Sequence, residues 1–99
     1  MGRSLVVETP GVRLRVEGER ISRGELEREL ESSLRDLFGD LGLAIADPVL
    51  LDYEPERGGI LRVDRRGLEI ARAAVAAVRF PSSIVRVAKV TGTLKKARA

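Results

Sequence analysis

The 99-residue chain contains no cysteine, no histidine, no asparagine and no glutamine. Without cysteine there can be no disulfide, no thiolate nucleophile and no cysteine-ligated zinc. Without histidine, the usual general base near neutral pH and the commonest metal ligand are missing as well. Aromatics are scarce, with two phenylalanines, one tyrosine and no tryptophan, so any stacking of bases on rings would depend on Phe38, Tyr53 and Phe80. No apolar run approaches the roughly 18 residues of a membrane-spanning helix. The opening MGRSLVVETPG lacks the apolar core and cleavage pattern of a secretory signal. The expectation is a cytoplasmic protein with no membrane partner. The lack of thermolabile amides fits a hot-living source.

What is present is charge, and it is unevenly placed. The 18 cations divide as 15 Arg and 3 Lys. Residues 1–56 carry 7 cations and 13 acids, a net −6, whereas residues 57–99 carry 11 cations and 2 acids, a net +9. The stretch GGILRVDRRGLEIARAAVAAVR places Arg62, Arg65, Arg66, Arg72 and Arg79 against only Asp64 and Glu69. An asymmetry this steep points to an anionic partner for the second half.

Hydrophobic periodicity divides the chain into elements. VRLRV alternates Val12, Leu14 and Val16 with Arg13 and Arg15, the pattern of a strand buried on one face. Leu5 to Glu8 reads as a further short strand, interrupted by Pro10 and Gly11. Ser22 and Glu25 form a capping box, and Leu26, Leu30, Leu34, Leu37, Phe38 and Leu41 recur at helical spacing. This predicts a helix of about four turns, stopped near Gly39 to Gly42, with an acidic outer face from Glu25 to Asp40. Val49 to Tyr53 and Ile60 to Val63 read as a hairpin with a turn over Pro55 to Gly59. Asp64 caps a second helix from Arg65 to about Arg79, with Leu68, Ala71, Val75 and Val78 on one face. SIVRVAKVTGTL is the last strand, irregular enough to suggest a bulge.

The order β-α-β-β-α-β is that of an α+β, ferredoxin-like (RNA-recognition-motif-like) domain: a four-stranded antiparallel sheet with two helices on one face. Residues 1–11 form an N-terminal extension and residues 12–99 the single domain.

Catalytic chemistry finds little support. Ser32, Ser33, Ser82 and Ser83 have no histidine to activate them and read as helix-surface and turn residues. Asp36 and Asp40, one helical turn apart, read as a solvated face rather than a cation site. Asp52, Glu54 and Glu56 likewise read as turn solvation. Gly58 and Gly59 lie in no phosphate-binding pattern and suit a hairpin that needs positive φ. Small acylphosphatases share this fold but need an asparagine, which the chain lacks.

The basic half is the stronger signal. With Arg62 and Arg86 on neighbouring strands, the sheet would present a cationic platform continuous with Arg65 and Arg66 at the start of the second helix. Guanidinium forks and a helix N-terminus both suit phosphate oxygens. The lack of rings on the strands directs the reading to backbone contact with a structured nucleic acid, by shape rather than sequence. A competing reading is a small-molecule-binding regulatory module in which Arg62 and Arg86 grip one carboxylate or phosphate.

The run from LFGDLG through GGILRVDRRGLEIARAAVAAVR to VRVAKVTGTLKKA resembles the protein component 2 family of archaeal ribonuclease P and its eukaryotic counterpart. The likeness covers about residues 12 to 97. It rests on Leu37-Phe38-Gly39, on Gly59-Ile60-Leu61-Arg62, on the Arg-rich start of an alanine-rich helix and on Thr91-Gly92-Thr93-Leu94-Lys95. The resemblance implies a non-catalytic subunit that binds ribonuclease P RNA and supports its magnesium-dependent removal of 5′ leaders from precursor tRNA. The protein itself then binds no cofactor, and the magnesium belongs to the RNA. Implied partners are the RNA, a TIM-barrel-like subunit called component 3, and a second copy of the chain in a two-plus-two assembly. On the motifs, Arg62 and Lys95 are the first candidates for RNA contact, with Arg65, Arg66, Arg86, Lys89 and Lys96 added on charge. The acidic first helix is a poor RNA surface and a candidate protein contact. The chain departs from the family in lacking an aromatic on its first strand.

Overall fold

The computed structural model describes residues 10–91. Strand β1 (Gly11–Gly18) is followed by α1 (Arg23–Ala46), β2 (Val49–Glu54), β3 (Gly58–Arg62), a 3₁₀ turn (Arg65–Gly67), α2 (Leu68–Ala77) and β4 (Ser83–Thr91). The strands pair antiparallel throughout, in the order β2-β3-β1-β4. This is the α+β, ferredoxin-like arrangement, with β1 and β3 central and both helices packed on one face. The expected strand at Leu5 to Glu8 lies outside the described residues, as do Lys95 and Lys96.

The alternation of β1 decides which face is covered. Val12, Leu14 and Val16 are buried and meet Leu26 and Leu30 of α1 and Ala71 and Val75 of α2 in one core. Each such side chain contributes about 1.5–3 kcal/mol when fully buried. Arg13, Arg15 and Glu17 point the other way and are exposed.

Helix α1 opens with the expected capping box: Ser22 Oγ accepts from Glu25 N and Glu25 Oε1 accepts from Ser22 N, both at 3.2 Å. It does not end near Gly39. Gly39 adopts φ 74° and breaks the ladder, but the chain resumes the helix and runs to Ala46, where Asp47 closes it in the left-handed region. The second segment is held because Ala46 packs on Gly67 and its carbonyl accepts from Asp64 N.

The apolar stripe of α1 is also only half used. Leu26, Leu30 and Leu34 are buried, but Leu37, Phe38 and Leu41 are 50%, 39% and 73% exposed. None of the three packs against either core cluster. At 1.5 Å per residue α1 runs about 24 Å before its kink, against about 15 Å for the neighbouring α2.

Ser33, expected on the helix surface, is buried and donates to the carbonyl of Ala74 at 2.8 Å. Ala74 lies in the last turn of α2, where carbonyls have no partner within the helix, and Val78 N bonds Val75 O instead. The serine hydroxyl therefore completes the end of one helix from the middle of the other. Asp64 caps as expected, accepting from Arg66 N at 2.9 Å, but it opens a 3₁₀ turn and the α-helix proper begins at Leu68.

Two irregularities shape the sheet. In β4 the register shifts between Arg13 and Leu14, leaving Ala88 as the extra residue, which is the bulge that the uneven alternation suggested. In β2 it shifts between Leu51 and Glu54, and Asp52 there has φ 50°. Beyond that bulge Tyr53 turns to the helix side, and its hydroxyl donates to Ile21 O at 2.7 Å. Burial, reinforced by the charge of Glu25, raises the pKa of this phenol.

Candidate nucleic-acid interface

The sheet face turned away from the helices collects cations from three strands. Arg13 of β1 pairs with Ile60 of β3 on one side and with Lys89 of β4 on the other. One row along, Arg15 lies between Gly58 and Arg86. In the opposite direction, Arg62 faces Gly11 of β1 and Val49 of β2. Residues paired across a ladder share a face, with Cβ atoms about 4.5–5.5 Å apart. Arg13, Arg15, Arg86 and Lys89 thus form one cationic patch with Arg62 beyond it, and no aromatic side chain lies among these rows.

The local electrostatics do not favour folding. Like charges directly opposite each other destabilise a sheet, yet Arg13 faces Lys89 and Arg15 faces Arg86. Only Arg86 is answered, its Nε bonding Glu17 Oε1 at 2.9 Å. Arg13, Arg15, Arg62 and Lys89 make no ion pair with a described residue. A sequence that keeps such a conflict in the middle of its sheet points to a role outside the fold.

The structure redraws the expected platform. Arg62 and Arg86 are not on neighbouring strands, because β1 runs between β3 and β4. Their backbone positions are about 10 Å apart across the sheet and about 13 Å apart along it. They are therefore not the side-by-side pair on which the small-molecule reading rested. The gap is filled by Arg13 and Arg15, which sequence reasoning left out because it confined the search to the basic half. The signal that would have found them is the VRLRV alternation itself: once Val12, Leu14 and Val16 face the core, both arginines must face out beside β3 and β4.

Arg65 and Arg66 stand elsewhere, in the 3₁₀ turn at the corner of the sheet. There Asp64 already occupies the backbone N–H of Arg66 and bonds its Nε at 3.1 Å. These two hydrogen bonds hold the Asp64 carboxyl below the ordinary carboxylate range. At this helix start the Asp64 carboxylate thus takes the backbone N–H of Arg66 and its Nε. Among the described residues no three His, Cys, Asp or Glu side chains are grouped to hold a metal ion. No helix there is long and apolar enough to cross a membrane.

Fold and face together define the class: a ferredoxin-like, RNA-recognition-motif-like domain whose open sheet is cationic and free of rings. The family model described as the Rpp14/Pop5 family matches residues 5–99, and the chain belongs to this family. Over 86 residues it is 33% identical to ribonuclease P protein component 2 of Saccharolobus islandicus (strain L.S.2.15 / Lassen #1), covering 80% of this chain and 58% of that protein. Over 70 residues it is 40% identical to the component 2 of Pyrococcus abyssi, covering 67% of this chain and 58% of the relative. Over 82 residues it is 30% identical to that of Methanococcus aeolicus, covering 79% and 59%. The chain thus spans under two thirds of the length of the curated relatives it matches.

Proposed function

We propose that this chain is a non-catalytic protein subunit of ribonuclease P that lays the open face of its sheet on the phosphates of the catalytic RNA. In doing so it supports the RNA's magnesium-dependent removal of 5′ leaders from precursor tRNA. The observation that carries the reading is the set of four cations, Arg13, Arg15, Arg62 and Lys89, exposed on one face without a described carboxylate partner. Cations placed among crowded phosphates screen their repulsion and displace condensed counterions, which lowers the magnesium needed to hold the RNA in its active shape. Without rings on this face, contact is with backbone and shape.

The protein partner belongs on the other side. The outer face of α1 is acidic, and at its kink Leu37, Phe38 and Leu41 stand exposed. An acidic, partly apolar helix repels RNA and suits a protein surface. We assign it to component 3, and we expect self-association of the pair into a two-plus-two assembly.

The test is reconstitution of cognate ribonuclease P RNA with the full chain and component 3, following precursor-tRNA cleavage at limiting magnesium. Wild type is expected to stimulate cleavage, and the double variant Arg13→Ala/Arg15→Ala to lose most of the stimulation, with recovery at high magnesium. Absence of stimulation by wild type would overturn the subunit assignment. Full stimulation by the double variant would move RNA contact off this face.

A further inference from the structure

A basin of about 580 Å³ opens on the sheet face beside the β2–β3 hairpin. Gly58 of β3, opposite Arg15, brings no side chain to it. Gly58 adopts φ 124°, and a Cβ there would lie 2.0 Å from the Leu14 carbonyl oxygen. A Cβ on Gly59 would lie 2.8 Å from the Leu51 carbonyl oxygen. Arg13 and Arg15 of β1 line one side and Asp52 of β2 the other, with Ile60 of β3 between them and Ala88 of β4 beyond the arginines. Asp52 sits at the β2 bulge with φ 50°, out of the strand's ladder.

The charges around the basin differ in how far they are answered. Glu54 bonds Arg57 at 3.4 Å and Glu56 pairs with Arg20 at 3.6 Å. Arg13, Arg15 and Asp52 have no hydrogen-bond or ion-pair partner among the described side chains. The basin therefore presents two unanswered guanidinium groups across from an unanswered carboxylate, with Ile60 between them. Its volume is within the range of small-ligand sites, roughly 300–1,000 Å³.

We infer that this basin receives one unpaired guanosine of an RNA strand, its phosphate on Arg13 and Arg15 and its Watson–Crick edge on Asp52. The inference rests on the reading of the open face as RNA-binding. A carboxylate accepts at both oxygens and donates at neither, so it selects an edge with two adjacent donors. Guanine offers N1–H beside the N2 amino group. In adenine and cytosine the amino group is next to an acceptor nitrogen, and in uracil the lone N3–H lies between two carbonyls, all of which a carboxylate repels. Ile60, between Asp52 and the guanidinium planes of Arg13 and Arg15, supplies an apolar surface for the base where no ring is available. Arginine supplies forked donors for the phosphate.

The experiment uses the full chain and labelled pentanucleotides of uridine with a central G, A, C or U, read by fluorescence anisotropy at low salt, with free GMP in parallel. The G-containing strand is expected to bind about tenfold more tightly than the other three. Asp52→Asn, whose side chain tolerates the left-handed backbone, is expected to reduce that preference below about twofold while binding of the other strands stays unchanged. Equal binding of all four strands by wild type overturns the guanosine site and leaves the RNA-binding face standing, as does a preference that survives in Asp52→Asn. Failure of every strand to bind overturns both. Free GMP carries the same base and phosphate and is expected to bind at least about tenfold more weakly than the G strand; equal affinity overturns RNA as the source of the guanosine.

Discussion

Arg15 of β1 stands directly opposite Arg86 of β4, and only Arg86 has a carboxylate, that of Glu17 at 2.9 Å. Two guanidinium groups facing each other at the centre of an antiparallel sheet oppose folding by about 0.2–1 kcal/mol. Replacing Arg15 by a neutral residue with high strand preference should relieve that repulsion. Arg15→Thr is expected to raise the urea midpoint while weakening RNA binding several-fold. Opposite signs in the two measurements are what a site maintained at the expense of the fold requires. A variant that loses stability and keeps its RNA affinity would show that Arg15 serves the fold.

Salt dependence separates the cations by their surroundings. Arg62 is exposed on the sheet without a described partner, whereas Arg66 is engaged with Asp64. Each phosphate contact contributes about −0.7 to −0.9 to the slope of log K against log salt. Arg62→Ala is expected to make the slope shallower by about that amount for one contact. Arg66→Ala should change it by less than half as much. A filter-binding titration over a salt series checks both, and an unchanged slope in Arg62→Ala would remove that residue from the interface.

The order of the elements was legible because the local signals agree with one another: the VRLRV alternation, the Ser22–Glu25 capping box, the Gly58–Gly59 hairpin and the Asp64 cap each appear where their chemistry implies. The site was legible only in part. Charge composition pointed to Arg62, Arg86 and Lys89 on the sheet. It could not reveal that β1 runs between β3 and β4, because strand order is set by the two crossovers and not by any short stretch of sequence. Arg13 and Arg15 lie in the acidic half, so charge composition passed over them although the VRLRV alternation turns both outward. Ser33 was misjudged because its environment depends on where the last turn of α2 comes to rest. The exposed end of the α1 stripe was misjudged because helical spacing says which residues share a face and not how far the partner extends.

Two of the three described glycines with positive φ, Gly39 and Gly58, should respond differently to a methyl group. Gly58 combines φ 124° with a Cβ position 2.0 Å from the Leu14 carbonyl oxygen, whereas Gly39 has φ 74° with nothing within 4 Å. Gly39→Ala should cost only the backbone conformation, φ 74° with ψ 179°, which is essentially restricted to glycine, about 1–3 kcal/mol. Gly58→Ala must also push two central strands apart and should cost about 2–4 kcal/mol or more. Chemical denaturation of the two variants tests the ranking, and equal losses would mean that β1 and β3 are less closely apposed than described.

Asp64 gives the stability a dependence on acid pH. Its folded pKa is lowered, first by the backbone hydrogen bond from Arg66 and then by the side-chain bond to the same residue. A depressed carboxylate stabilises the fold above its unfolded pKa, and that contribution is lost as pH falls through the folded value. Asp64→Ala is therefore expected to trail wild type by a constant margin at neutral pH. The margin should narrow below about pH 4, as a denaturation series across that range would show. A margin that stays constant into strong acid would mean that the cap contributes through shape alone.

Ser33 and Ser32 are adjacent on α1, yet they should behave as unrelated sites. Ser32 is exposed, so Ser32→Ala removes no internal contact and should lie within about 0.5 kcal/mol of wild type. Ser33 is buried and supplies the hydrogen bond that the Ala74 carbonyl cannot find in its own helix. Ser33→Ala leaves that carbonyl beside a methyl group without its hydrogen-bond donor, a loss of about 1–3 kcal/mol. Because α1 and α2 meet through this bond at the end away from the sheet's cationic face, the loss should appear in denaturant unfolding and leave RNA affinity per folded molecule unchanged. If affinity fell in proportion to stability, the helix layer and the open face would have to be coupled through the sheet, and the division of labour between an RNA side and a protein side would fail with it.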